Sequence, residues 1–249
     1  MKYKIWLSYD GGRYDGWQKQ GNTDRTIQGK LEQVLERLDG GPVEVQGSGR
    51  TDAGVHAEGQ VAHFTLRGSR TPREVMDYMN HYLPEDIAVW DCLPAEARFH
   101  SRLSALRKTY RYQIEMGPKK DVFQRSYYYG LGRKLDLEAM EKASAFLTGT
   151  HDFKSFCGNR KMKKSTVRTI ERISFERRDA TKLHILYTGN GFLQQMVRIL
   201  TGTLIEIGTG ERRAEDIPAV LKAGDRQAAG FTAPAQGLFL VSVEYGEEI

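Results

Sequence analysis

The first 97 residues switch hydrophobic period in a set order, and this restricts the fold more than any other feature of the chain. Residues 2–9 alternate apolar and polar side chains, as a half-buried strand does. Thr26 stands where a helix N-cap is expected. Ile27, Leu31, Val34, Leu35 and Leu38 share one helical face, and Gly40, Gly41 and Pro42 close the helix. Short strands are expected at 43–46 and 60–66. Thr71–Pro72 open a second helix with Val75, Met76, Met79 and Leu83 as its stripe, and a strand follows at 86–93. Strand, helix, strand, strand, helix, strand is the order of a ferredoxin-like, or split βαβ, unit with its helices on one sheet face.

The rest of the chain has the same character without repeating the sequence. A strand is expected at 106–115 and a helix at 136–147, capped by Asp136. Strands follow at 169–177 and 181–188, helices at 192–207 and 214–223, and a last strand at 238–245. The fold class is therefore α+β, with two ferredoxin-like/split βαβ halves and mainly antiparallel sheets. Residues 1–103 form the N-terminal α/β subdomain and 104–249 the C-terminal one.

No apolar run approaches the roughly 20 residues of a membrane span. The start, MKYKIWLSYDGG, reads as a strand rather than a signal peptide. Cys92 and Cys157 are too far apart for a C-x-x-C pair, which fits a reducing, cytoplasmic setting. His56, His63, His100 and His151 show no metal-ligand spacing, so no metal is expected. The net charge is +5, a mild pointer to a polyanionic partner.

Four segments carry chemical potential. The loop 47–56, GSGRTDAGVH, flanks Arg50, Thr51 and Asp52 with three glycines. A guanidinium near a carboxylate keeps it ionised, and an ionised carboxylate serves as nucleophile or base. Read locally, the plainer account of the same loop is a hairpin held by a structural Arg50–Asp52 pair, since ion pairs in turns are common. It lacks the G-x-x-x-x-G-K-[ST] pattern, which argues against a kinase-like small-molecule enzyme.

Residues 98–114 hold Arg98, Arg102, Arg107, Lys108 and Arg111 with no acid, and Tyr110 and Tyr112 share one face of the expected strand. Such a strand suits nucleic acid, or is half-buried with a solvated basic face. Residues 159–168 carry Arg160, Lys161, Lys163, Lys164 and Arg168, a surface loop that either contacts phosphates or is simply solvated. In 189–198, GNGFLQQMVR, Arg198 sits inside an apolar helix. It must snorkel or find a carboxylate, and Asp52 is the carboxylate with a reason to be buried.

Taken together, GSGRTDAGVHA at 47–57, FHSR with KTYRY at 99–112, GNGFLQQMVR at 189–198 and APAQGLFLV at 233–241 closely resemble the tRNA pseudouridine synthase A family. The resemblance runs from the first strand to the last. It implies isomerisation of uridines 38, 39 and 40 in the tRNA anticodon stem-loop. It implies Asp52 as the catalytic aspartate, Arg50 as the arginine that contacts RNA or places Asp52, and Arg198 as the partner of Asp52. It also implies Tyr110 against the target base and Leu193 near the apolar wall of the pocket. Sheets meeting at a central active-site cleft, a homodimer, and no cofactor or metal are further implications. The alternative is a non-catalytic RNA-binding module, which has no need of an arginine such as Arg198 or of the G-R-T-D loop.

Overall fold

From β1 (Lys2–Tyr9), Tyr3, Ile5, Leu7 and Tyr9 turn inward while the residues between them are only half-buried. The period of two in the sequence is thus the period of burial. The computed structural model describes residues 1–119 and 121–246. By contact it divides into two compact units, Met1–Arg107 with the chain from Phe239 onward, and Lys108–Leu238. The last strand is counted with the first unit, which chain order alone does not give.

In the first unit, α1 (Ile27–Asp39) starts as expected, with Thr26 Oγ1 accepting from the Gly29 amide at 3.2 Å. Next come β2 (Gln46–Gly47), β3 (His56–Thr65), α2 (Pro72–Tyr82) and β4 (Ile87–Pro94). Thr71 and Glu74 form a reciprocal capping box at the start of α2. β1 lies antiparallel between β3 and β4, and β2 pairs antiparallel with β3, giving the order β4-β1-β3-β2. β10 (Leu238–Tyr245) pairs parallel with β3 through Phe239 and His56. The strand expected at 43–46 is displaced to Gln46–Gly47. The Val45 amide donates to Glu32 and its carbonyl accepts from Gln28, so α1 side chains take the bonds a ladder would have used. β3 starts four residues earlier than expected.

In the second unit, β5 (Ala105–Glu115) pairs antiparallel with β9 (Lys182–Gly189) from Lys108 to Glu115. β9 pairs with β8 (Val167–Arg177), and β8 with β7 (Gly149–Asp152), both antiparallel. The two-residue β6 (Tyr129–Gly130) runs parallel to β5. β6 and β7 are too short to leave a period in the sequence. α3 (Leu137–Leu147) is capped by Asp136 and packs on α4 (Met196–Gly208). α4 begins four residues later than expected, because Gln195 has a φ of 59° and breaks the helical path. The helix expected at 214–223 is a 3₁₀ turn followed by α5 (Ile217–Ala223).

The protein is thus mixed α/β with mostly antiparallel strand pairing. Among the described residues no helix is long and apolar enough to cross a membrane.

Candidate active site

The loop between β2 and β3 carries Arg50, Thr51 and Asp52, and the segment 11–17 holds its backbone. The Ser48 amide donates to the Val61 carbonyl at 2.7 Å, the Trp17 amide to Thr51 at 3.1 Å, and the Gly54 amide to Tyr14 at 3.2 Å. Gly16, at a φ of +96°, allows this approach, since a Cβ there would stand 2.8 Å from the Thr51 carbonyl oxygen. The buried Trp17 ring lies against Gly47. Residues 48–55 therefore lack regular structure yet are fixed over a packed base.

A chain of buried polar groups adds a second constraint. Ser48 Oγ donates to Gln60 Oε1 at 2.6 Å. Gln60 Nε2 donates to the Gly49 carbonyl at 3.1 Å and to the Tyr9 hydroxyl at 3.3 Å. That hydroxyl shares a 2.9 Å hydrogen bond with Thr51 Oγ1. Burial pushes the Tyr9 phenol up to about 12, so it stays neutral and hydrogen-bonded at neutral pH. On this rigid seat Asp52 is half-buried and Arg50 is exposed. Sequence reasoning passed over Tyr9, Gly16 and Gln60. A signal for Gln60 was present: its amide opens the mostly apolar strand QVAHFTL, and a buried amide needs a fixed partner.

The other expected site residues lie in the second unit. Tyr110 faces Tyr187 across β5 and β9 and is buried. Its ring meets the Phe192 ring edge-on, with centroids 5.1 Å apart. Leu193 is buried in the turn before α4. Arg198, in the first turn of α4, is half-buried. Its Nε donates to the Ala233 carbonyl at 2.7 Å, and the Ala233 amide donates to the Arg198 carbonyl at 3.1 Å. The Tyr112 hydroxyl donates to the Pro234 carbonyl at 2.7 Å, so β5 and α4 both fix the APAQG segment. Arg160, Lys161, Lys163 and Lys164 are all exposed between β7 and β8.

Chemically, one unit offers a carboxylate on an immobilised loop. The other offers an aromatic and aliphatic surface beside a guanidinium. Among the described residues no cluster of three His, Cys, Asp or Glu side chains could hold a metal ion.

The sequence profile described as tRNA pseudouridine synthase matches residues 5–102 and 143–246. The chain is 45% identical over 243 residues to tRNA pseudouridine synthase A of Bacillus sp. (strain KSM-64), covering 98% of this chain and 99% of that one. It is 45% identical over 245 residues to tRNA pseudouridine synthase A of Geobacillus sp. (strain WCH70), covering 98% of each. It is 41% identical over 243 residues to tRNA pseudouridine synthase A 2 of Bacillus anthracis, covering 98% of this chain and 99% of that one.

Proposed function

The chain belongs to the tRNA pseudouridine synthase family, and from that membership we propose that it acts on uridines 38, 39 and 40 of the anticodon stem-loop. The reaction is an isomerisation that replaces the N1–C1′ glycosidic bond by a C5–C1′ bond. The proton on C5 leaves and N1 gains one, so the base must be detached, turned and reattached without escaping. That calls for a nucleophile, a proton acceptor and a pocket that excludes water. A paired uridine must also leave its stack, at a cost of a few kcal/mol that the binding surface supplies.

Asp52 is the nucleophile in this reading. Arg198 keeps its carboxylate ionised, and Arg50 contacts RNA or helps to place Asp52. Tyr110 stacks on the uracil and accepts the departing proton, and Leu193 belongs to the apolar wall. Arg160, Lys161, Lys163 and Lys164 contact phosphates without reading sequence. The observation that carries the reading is the stretch 47–57, where the backbone is immobilised from two sides and Asp52 is left half-exposed. Tyr110 and Leu193, both buried beside Phe192, supply apolar surface of the kind the pocket needs.

Two ferredoxin-like, split βαβ halves belong to the same reading, and the order β4-β1-β3-β2 supports it for the first. A homodimer in the cytoplasm that needs no cofactor completes it. Sedimentation of the protein as a monomer at micromolar concentration would remove the dimer. The activity is tested by incubating the protein with unmodified tRNA transcripts and mapping pseudouridine. Modification at 38, 39 and 40 is expected, and modification only elsewhere would overturn the assignment.

A further inference from the structure

A cavity of about 350 Å³ in the second unit contains an electrostatic imbalance that the proposed chemistry does not use. Arg160 enters it from the β7–β8 connection, Arg226 from a 3₁₀ turn after α5, and Lys154 from a 3₁₀ turn after β7. Asn159 and Thr166 add polar atoms to the wall. The Arg226 guanidinium is already oriented: it donates to Thr232 Oγ1 at 3.0 Å and to the Ala229 carbonyl at 3.4 Å. Neither arginine forms an ion pair within the described residues.

Two carboxylates, Asp152 and Asp225, also line the cavity, and each already accepts hydrogen bonds from donors of this chain. Asp152 Oδ1 accepts from the Lys154 amide at 3.0 Å and from Thr166 Oγ1, and Asp225 Oδ1 accepts from the Gln227 amide at 3.0 Å. Burial and the nearby charge of Arg160 push the Arg226 pKa down, and the more weakly felt Glu206 carboxylate opposes them without reversing the direction. Of the basic loop only Arg160 lines this cavity. Lys161, Lys163 and Lys164 do not.

We infer that this cavity seats one backbone phosphate of the tRNA substrate, with Arg226 as a pre-oriented fork and Arg160 closing on the same group. The inference rests on the tRNA reading above. A guanidinium with fixed planar geometry and free N–H groups matches phosphate oxygens, and an anion between two arginines turns their repulsion into attraction. The contact carries no base information. It sets the register of the RNA on the protein.

The test is tRNA affinity of the full-length protein across a salt series, measured with an unmodified transcript. Arg160→Gln and Arg226→Gln are each expected to flatten the log–log salt slope by about 0.7–0.9, and the double variant by about twice that. Arg73→Gln, which removes an exposed cation paired with Asp77 in the other unit, should leave the slope unchanged. Arg160 is exposed, so its variant reports even where Arg226→Gln disturbs folding. A wild-type slope for Arg160→Gln overturns the assignment. So does tight binding of inorganic phosphate at constant ionic strength, lost in Arg160→Gln while the tRNA slope stays unchanged, since the cavity then serves a free phosphate compound. Pseudouridine formation is scored separately on the wild-type protein. A wild type that binds tRNA but makes none defeats the functional reading, while a normal product with unchanged slopes defeats only the phosphate seat.

Discussion

The Tyr9 hydroxyl lies 2.9 Å from Oγ1 of Thr51, the residue immediately before Asp52. Tyr9 ends β1, whereas Thr51 lies in the loop before β3, so a strand terminus braces the loop through one hydroxyl. Tyr9→Phe removes only that oxygen. It leaves Thr51 Oγ1 and Gln60 Nε2 each short of a partner in a buried place, costing about 1–3 kcal/mol of stability. Because the seat of Asp52 loosens while the RNA-binding surface is untouched, kcat should fall on the order of ten-fold or more with KM for tRNA little changed. A variant that is less stable but has wild-type kcat would reduce Tyr9 to a packing role.

Gly16→Ala probes the same seat from the other side. The new methyl would meet the Thr51 carbonyl at 2.8 Å and the Ala53 amide at 3.1 Å, in a backbone conformation that alanine rarely adopts. Strain of this kind costs on the order of 1–3 kcal/mol, and it falls on the two residues flanking Asp52. Both melting temperature and pseudouridine yield should drop. Gly21→Ala is the control, since a Cβ there meets nothing within 4 Å. Equal behaviour of the two variants would show that the approach of Gly16 to the loop is unimportant.

Much of this was legible in the sequence, and the reason is local. Thr26, Thr71 and Asp136 each cap the helix that their residue type and the following apolar spacing announce. The alternation in β1 survives because one face of it is buried, whereas in β5 Tyr112, Gln113, Ile114 and Glu115 are all buried and the period is lost. Failures occur where a distant group takes over a local preference. Val45 gives its backbone bonds to side chains of α1, and Gln195 holds a positive φ, the only described residue other than glycine to do so. Composition alone left a structural Arg50–Asp52 hairpin as the plainer account, and the candidate nucleophile could be named because its loop, GSGRTDAGVHA, carries the family resemblance. Its supports could not, since Tyr9 and Gln60 look like ordinary strand residues until β1 and β3 are paired.

His63 gives the first unit a pH dependence. The Ser101 amide donates to its Nδ1 at 3.1 Å, so that nitrogen is an acceptor and the ring is neutral. Burial, aided by the charges of Lys2 and His100, lowers its pKa from 6.5 to about 4. Between those values the unfolded chain binds a proton that the folded chain refuses. The stability is therefore intact above about pH 6.5 and is lost as the pH falls toward 4, by an amount on the order of 3 kcal/mol. Urea unfolding of wild type and His63→Gln at pH 7, 5.5 and 4.5 reads this directly. The stability difference between them should shrink as the pH falls, and a constant difference would mean that His63 does not titrate in this window.

Asp52→Asn keeps the volume of the side chain and removes its charge. The loop backbone is held by the Tyr14, Trp17 and Val61 contacts, none of which uses the Asp52 carboxylate, so the variant should fold. It should bind tRNA about as tightly as wild type, because phosphate contacts dominate that affinity. An amide cannot replace a nucleophilic carboxylate, so no pseudouridine should form. Asp52→Glu restores the charge but moves it by about one methylene, and a misplacement of that size costs on the order of 10²-fold. Arg198→Lys keeps a cation but loses the Nε bond to Ala233, so it should separate the role of charge from that of geometry. Each is read by tritium release from tRNA labelled at C5 of uridine, which requires the C5–C1′ bond to form. If Asp52 only pairs with Arg50 in a hairpin, the asparagine variant will release tritium at the wild-type rate, and that result would end its assignment as nucleophile.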